Sequence, residues 1–318
     1  MNIACAPVLI STVNRYQHFR DCLESLSRCT WADKTDVFVA VDYPPSENYW
    51  EGYRLIKGYL DTCGNLGFKS LNVIYRETNY FYTEKGNLGA LLDEVSRNYD
   101  RYIITEDDNV FSPNFLVFIN KGLDKYKEDK SILAINGYCH VFPVKYGINN
   151  YFKHDVYFSA WGFGTWKDQL KMAQNNCNIS FFRKKALLPT SWYRLCKSSV
   201  GNLESFLRFL FSGKIAFTDS FLSIYMVLEN KCVIMPVISK VRTCGFDGTG
   251  IHSLNSEIVT KLSNQAIDKD SWFDYMGSGD EFFKENHNLM IDNILEKETI
   301  VRLMGKIVNK VFRKIISR

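Results

Sequence analysis

Short apolar runs alternate with amphipathic stretches over the first 140 or so residues. Residues 7–12 (PVLIST), 37–41 (VFVAV), 71–75 (LNVIY), 102–105 (YIIT) and 132–136 (ILAIN) have the length and the β-branched and aromatic content of buried strands. Between them, Phe19, Cys22, Leu23 and Leu26 repeat at helical spacing over 16–29, and Leu88, Leu91, Leu92 and Val95 do so over 86–98. Residues 49–62 and 115–127 read as two further helices. Such alternation predicts an α/β fold, a mostly parallel sheet flanked by helices on both faces. In such sheets ligands bind beyond the carboxyl ends of the strands.

The pattern changes after residue 137. Residues 137–255 are aromatic-rich and mixed, with a helical run at 222–228, and residues 256–297 are polar with no element assigned. The last segment, 298–318, sets an apolar stripe (Ile300, Leu303, Met304, Ile307, Val308, Val311, Phe312, Ile315) among Arg302, Lys306, Lys310, Arg313, Lys314 and Arg318. A basic amphipathic helix at a terminus predicts peripheral contact with a membrane surface; docking on its own domain or dimerising is the alternative.

Composition narrows the class. With 318 residues, 46% hydrophobic and 15% aromatic, the chain can bury a full core as one elaborated domain or two fused subdomains. A net charge of +4 gives no reason to expect nucleic acid as a partner. The nine cysteines contain no CxxC pair, so their spacing gives a zinc site no support. Their odd number and the absence of a signal-like leader predict reduced thiols and a cytoplasmic protein, peripheral on the inner face of the plasma membrane if the last helix binds lipid. No window approaches the roughly 18 to 20 apolar residues of a membrane span.

The strand at 102–105 runs directly into Glu106-Asp107-Asp108. Three consecutive carboxylates call for a neutralising cation, and a hard one such as Mg²⁺ or Mn²⁺ takes one or two carboxylates plus phosphate oxygens and water. If the strand continues, Glu106 and Asp108 share one face and Asp107 the other. Asp108 is then the metal ligand and Glu106 the group that reaches the ribose of a nucleotide. The competing reading is a solvated loop that caps the following helix.

Residues 102–116 (YIITEDDNVFSPNFL) resemble the metal-binding stretch of nucleotide-sugar glycosyltransferases of the GT-A fold. They are closest to the branch with Glu-Asp-Asp in place of Asp-x-Asp, which includes N-acetylglucosaminyltransferase I type enzymes and bacterial polysaccharide transferases. Other pieces follow in order: residues 7–15 (PVLISTVNR) resemble the opening of family 2 transferases, 39–42 the second strand, and 76–90 (RETNYFYTEKGNLGA) the ribose and diphosphate segment. Residues 161–166 resemble the acceptor-side Trp-Gly element and 239–253 (SKVRTCGFDGTGIHS) the closing segment.

The resemblance implies a donor site drawn from Pro7, Thr12, Asn14, Arg15 and Asp42 around the base, and from Arg76, Asn79, Lys85 and Asn87 toward the ribose and diphosphate. Glu106, Asp107 and Asp108 would complete it, with Mn²⁺ or Mg²⁺ on Asp108 and His252 as a late metal or phosphate ligand. Trp161 and Gly162 would lie on the acceptor side. Asp219 would be the catalytic base that deprotonates the acceptor hydroxyl, although Thr218-Asp219-Ser220 would equally cap a helix, and the family's aromatic-Asp-Asp pattern is absent there. Glu204 and Asp247 are the alternative bases.

The expectation is an inverting hexosyl- or N-acetylhexosaminyltransferase that moves sugar from a UDP- or GDP-linked donor to a glycan or lipid-linked glycan in surface polysaccharide synthesis. Its nucleotide half would run to residue 110 and its acceptor half over 111–255. A sugar nucleotidyltransferase is disfavoured because residues 7–15 contain no glycine for a phosphate loop; a non-catalytic relative would bind sugar or lipid only.

Overall fold

The computed structural model describes residues 4–81, 83, 85–139, 150–247 and 264–277. In chain order its elements are β1 (Val8–Thr12), α1 (Tyr16–Ser27), β2 (Asp36–Val41), α2 (Trp50–Thr62), β3 (Ser70–Tyr75), α3 (Gly86–Val95), β4 (Arg101–Glu106), β5 (Asn109–Phe111), α4 (Phe115–Lys125) and β6 (Ile132–Asn136). Then follow β7 (Tyr151–His154), β8 (Phe163–Trp166), α5 (Lys167–Asn175), α6 (Ile179–Ala186), α7 (Pro189–Ser198), α8 (Val200–Ser212), α9 (Asp219–Glu229), β9 (Cys232–Pro236) and β10 (Val241–Thr243).

Eight strands form one sheet in the order β3-β2-β1-β4-β8-β6-β9-β7. The first four are parallel, β6 and β9 pair in parallel, and β8 and β7 run antiparallel to their neighbours. This mostly parallel α/β sheet is the GT-A-like architecture expected above. Side-chain alternation divides the core between the two faces. Val8 and Ile10 join α1, α2 and α4 on one face, while Leu9 joins α3 and the helices α5–α9 on the other. β8 lies between β4 and β6, so both halves of the chain share one sheet.

Two regions that the residue pattern left unassigned are ordered. Residues 167–212 hold four helices; most are short, and the segment exposes apolar residues such as Leu187, Tyr193 and Phe211, which blurs the stripe that marks a helix in sequence. Residues 264–277, within the polar extension, form a strap across α4. Phe273 and Tyr275 pack on Phe118, Lys121 donates to the Phe273 carbonyl at 2.9 Å, and Lys240 pairs with Asp268. The remainder of the extension and the 298–318 helix lie outside the described residues. The nine cysteines, all among the described residues, form no disulfide with one another.

Candidate functional site

The parallel register sets Thr12 beside Val41 and Ser11 beside Glu106. The segments leaving β1, β2 and β4 therefore emerge at one edge. From β1 the chain moves outward to β2 and β3, then returns to β4 on the other side of β1. The β1–β4 boundary is thus the topological switch point, where open α/β sheets form their ligand crevice.

The acidic triplet sits at this boundary, in a conformation the sequence does not foretell. β4 ends at Glu106, Asp107 and Asp108 turn, and β5 starts at Asn109, pairing antiparallel with β10. The turn breaks the expected alternation of faces: Asp107 and Asp108 both meet Arg15 instead of pointing apart. Arg15, the residue preceding α1, pairs with Asp107 and reaches Asp108 Oδ2 at 2.7 Å. Thr12 donates its hydroxyl to Asp107 Oδ2 at 2.7 Å. Burial nevertheless raises the Asp107 pKa against the pull of Arg15 and Thr12. One guanidinium does not fully offset two adjacent buried carboxylates.

Asp108 Oδ1 is buried and has no hydrogen-bond partner. Such an atom is costly in a closed interior unless a cation or donor completes it. Gly245 closes in from the β10 side: a Cβ there would lie 2.0 Å from Asp108 Oδ2, so only glycine lets the backbone come this near. The orphaned oxygen fits a hard divalent cation that draws its other ligands from phosphate and water. Among the described residues no three His, Cys, Asp or Glu groups gather as a self-sufficient metal cage. His252 lies outside the described residues.

Glu106, the last residue of β4, touches solvent yet is hemmed in by protein. Desolvation first, then the charges of Asp108, Asp219 and Asp107, push its pKa up to about 8. Tyr157 is likewise pushed up, by burial and then by Asp219, with Glu106 adding a smaller share. Asp219 therefore lies within electrostatic range of the acidic turn. Thr218, not Asp219, caps α9, its hydroxyl accepting from the Phe221 N–H at 3.4 Å. Asp219 is the first residue of the helix, where a carboxylate also suits the positive end of the helix dipole.

The other expected residues divide. Asp42, buried at the end of β2, accepts from the backbone N–H groups of Tyr43 and Tyr80 at 2.9 and 2.8 Å, and Asn79 donates to the Tyr43 carbonyl at 2.6 Å. Together they fold the 76–81 loop against the sheet edge. Asn14 lies in the turn after β1, its carbonyl accepting from Tyr16. Arg76 is buried, bonded to Asn87 at 2.9 Å and paired with Glu94 at 2.7 Å, while Asn87 donates to the Ala40 carbonyl at 2.8 Å. These bonds fasten α3 to β2. Lys85 is exposed and paired with Asp93.

Pro7 stands at the opposite, amino end of β1, beside an open concavity also lined by Asp36, Lys69 and Arg101. A strand of five residues, at about 3.3 Å each, separates it from the acidic turn. Trp161 packs edge-on against Tyr138 and Phe246 at 4.6 and 5.6 Å, and Gly162 adopts φ +70° where its carbonyl accepts from Gly137. Glu204 is exposed on α8, and Asp247 pairs with His18 at 2.8 Å. Reasoning from sequence placed neither Gly245 nor Tyr157 in the site. The glycine-rich run 245–250 was the available signal for the first; the second carried none.

No family model and no curated protein matches the chain. Solved structures resemble it at low identity. TarS from S. aureus is 15% identical, over 39% of this chain and 20% of that one, with a TM-score of 0.29. The mannosyltransferase PcManGT from Pyrobaculum calidifontis, in complex with GDP-Man and Mn²⁺, is 14% identical over 54% and 49%, with a TM-score of 0.32. A Bacillus anthracis protein assigned as a glucose-1-phosphate thymidylyltransferase, in complex with a sucrose, is 12% identical over 42% and 61%, with a TM-score of 0.27. The chain spans less than two thirds of each, and at these scores the likenesses carry no argument about activity.

Proposed function

We propose that the chain transfers a glycosyl group, with inversion, from a nucleotide-sugar donor to a glycan or lipid-linked glycan acceptor. The carrying observation is Asp108, buried at the β1–β4 switch point with Oδ1 unpartnered. It would hold Mn²⁺ or Mg²⁺ together with the donor diphosphate. A metal bound there supplies charge neutralisation of the departing diphosphate.

The protein's own groups do the rest. Asp42 and the loop it folds form the wall for the nucleoside at the end of β2. Asp107, fixed by Thr12 and Arg15, holds the turn that aims Asp108. Arg15 adds a positive charge beside the diphosphate position, where a guanidinium can bind two oxygens at once. Asp219, within electrostatic range of the turn, would take the proton from the acceptor hydroxyl as that oxygen attacks the anomeric carbon opposite the leaving group. Trp161, wedged between two aromatic rings, offers the remainder of its face to an acceptor sugar.

Thermal denaturation with UDP, GDP, CDP and dTDP, each with and without Mn²⁺, tests this reading. One diphosphate should stabilise the protein only when metal is present, by about 2.7 kcal/mol at a hundredfold excess over its dissociation constant. Asp108→Ala should lose that response. No response from folded protein to any pair would overturn the reading in favour of a non-catalytic relative.

A further inference from the structure

The helices on the acceptor side expose a surface that the chemistry above leaves unused. α6, α7 and α8 pack inward through Phe182, Trp192, Phe206 and Phe209. α7 and α8 are joined through Ser199 alone, and Trp192 and Phe206, equally far on either side of it, touch at 5.4 Å. The two helices therefore fold back on each other from Ser199, with Leu187 and Leu188 at the free end of one arm and Phe211 at the free end of the other. Leu187 is 83% exposed, Phe211 62% and Leu188 45%. Single exposed apolar residues are ordinary, but a group of them marks an interaction surface.

The charge around this group has one sign. Arg183, Lys184, Lys197, Arg208 and Lys214 are exposed, and Glu204 is the one acid between residues 181 and 214. Lys185 pairs with Glu229, and Arg194, itself exposed, donates to the Leu228 carbonyl at 3.3 Å. This composition selects the occupant. The chain's own 298–318 stripe carries six cations, and a second copy of the same face is equally basic, so both would meet like charge. An anionic bilayer satisfies both features, since apolar side chains enter the acyl boundary while cations meet headgroup phosphates.

We propose that the free end of the folded-back α7–α8 pair docks on an anionic phospholipid surface. The loop after α8 carries Lys214 and the partly exposed Phe217, then enters α9 at Asp219. Docking therefore sets the acceptor side of the crevice next to the bilayer, which, on the glycosyl-transfer reading, suits an acceptor carried on lipid.

Sedimentation of the full chain with vesicles tests this. Wild type should bind phosphatidylglycerol-containing vesicles and leave pure phosphatidylcholine vesicles unbound. Leu187→Ser with Phe211→Ser, and separately Arg183→Glu with Lys184→Glu, should each weaken binding at least tenfold, since one cation near such a surface is worth roughly fivefold. These positions are exposed, so melting temperature and the diphosphate response should remain those of wild type. Wild type that ignores anionic vesicles, or variants that bind as well as wild type, would overturn the proposal. Loss of the diphosphate response in wild type is a separate result and bears on the glycosyl-transfer reading alone.

Discussion

Arg15 and Asp108 form a 2.7 Å ion pair across the β1–β4 switch point, and the same guanidinium also holds Asp107. Without a metal, Arg15 is the cation of the acidic turn. Replacing it with Met leaves two adjacent carboxylates uncompensated, which should destabilise the protein by about 3 kcal/mol. Mn²⁺ should restore part of that loss in Arg15→Met, because the ion meets a site with no competing cation. Thermal melts of both proteins with and without Mn²⁺ check this; an unchanged melting temperature would show that the pair contributes nothing.

Thr218 and Asp219 separate capping from chemistry. Thr218→Ala removes the hydroxyl that caps α9 and should lower stability by about 1 kcal/mol, with turnover retained by the folded protein. Asp219→Asn should leave the melting temperature in place and lower kcat on the order of 10²- to 10⁴-fold. Paired melts and initial rates distinguish the two roles. Equal rates for Asp219→Asn and wild type would remove Asp219 as the base.

Gly245→Ala drives a methyl group into Asp108 Oδ2, 2.0 Å from where its carbon must sit. Either the β10 segment shifts or Asp108 leaves its place, at about 1–3 kcal/mol. Metal-dependent diphosphate binding should weaken more than overall stability does. Calorimetric titration of the variant with Mn²⁺ and the selected diphosphate measures the first effect, and a melt measures the second.

The strap over α4 should release in acid. Burial alone would raise the Asp268 pKa, but hydrogen bonds from Asn114 and Lys240 outweigh it and hold the carboxylate below its ordinary range. A depressed carboxylate contributes stability that is complete above the unfolded value of about 3.9 and is lost as pH falls through the lower folded value. Trp272 on the strap stands edge-on to Trp31 at 5.6 Å, so tryptophan emission should change in that window. Asp268→Asn, which leaves Lys240 buried without its partner charge, should cost about 3 kcal/mol, and Asp268→Asn with Lys240→Met much less.

Apart from β5, which exists only by pairing with β10, the strands and helices up to residue 136 are legible in the chain because each is set by its own neighbours. Apolar runs the length of a strand and apolar residues three or four apart fix element type locally, and their alternation fixes the α/β class. The same logic fails for α5–α8. These helices are short, their inner faces are lined with aromatic residues, and apolar residues also face outward, so no single period stands out. The strap is lost for a related reason: its anchors, Phe273 and Tyr275, are isolated aromatics in a polar run and gain meaning only against Phe118.

The sequence by itself determined the parallel half of the sheet and the acidic group at a strand end, since these follow from patterns within a few residues. Only the tertiary structure decided what surrounds that group. Arg15 reaches Asp107 from 92 positions away in the chain, and Asp219, at the start of α9, influences Glu106 at the end of β4. No local pattern encodes such meetings. They arise where β1 and β4 lie side by side and the chain turns after Glu106, which aims Asp107 and Asp108 at one guanidinium and leaves a single carboxylate oxygen unpartnered.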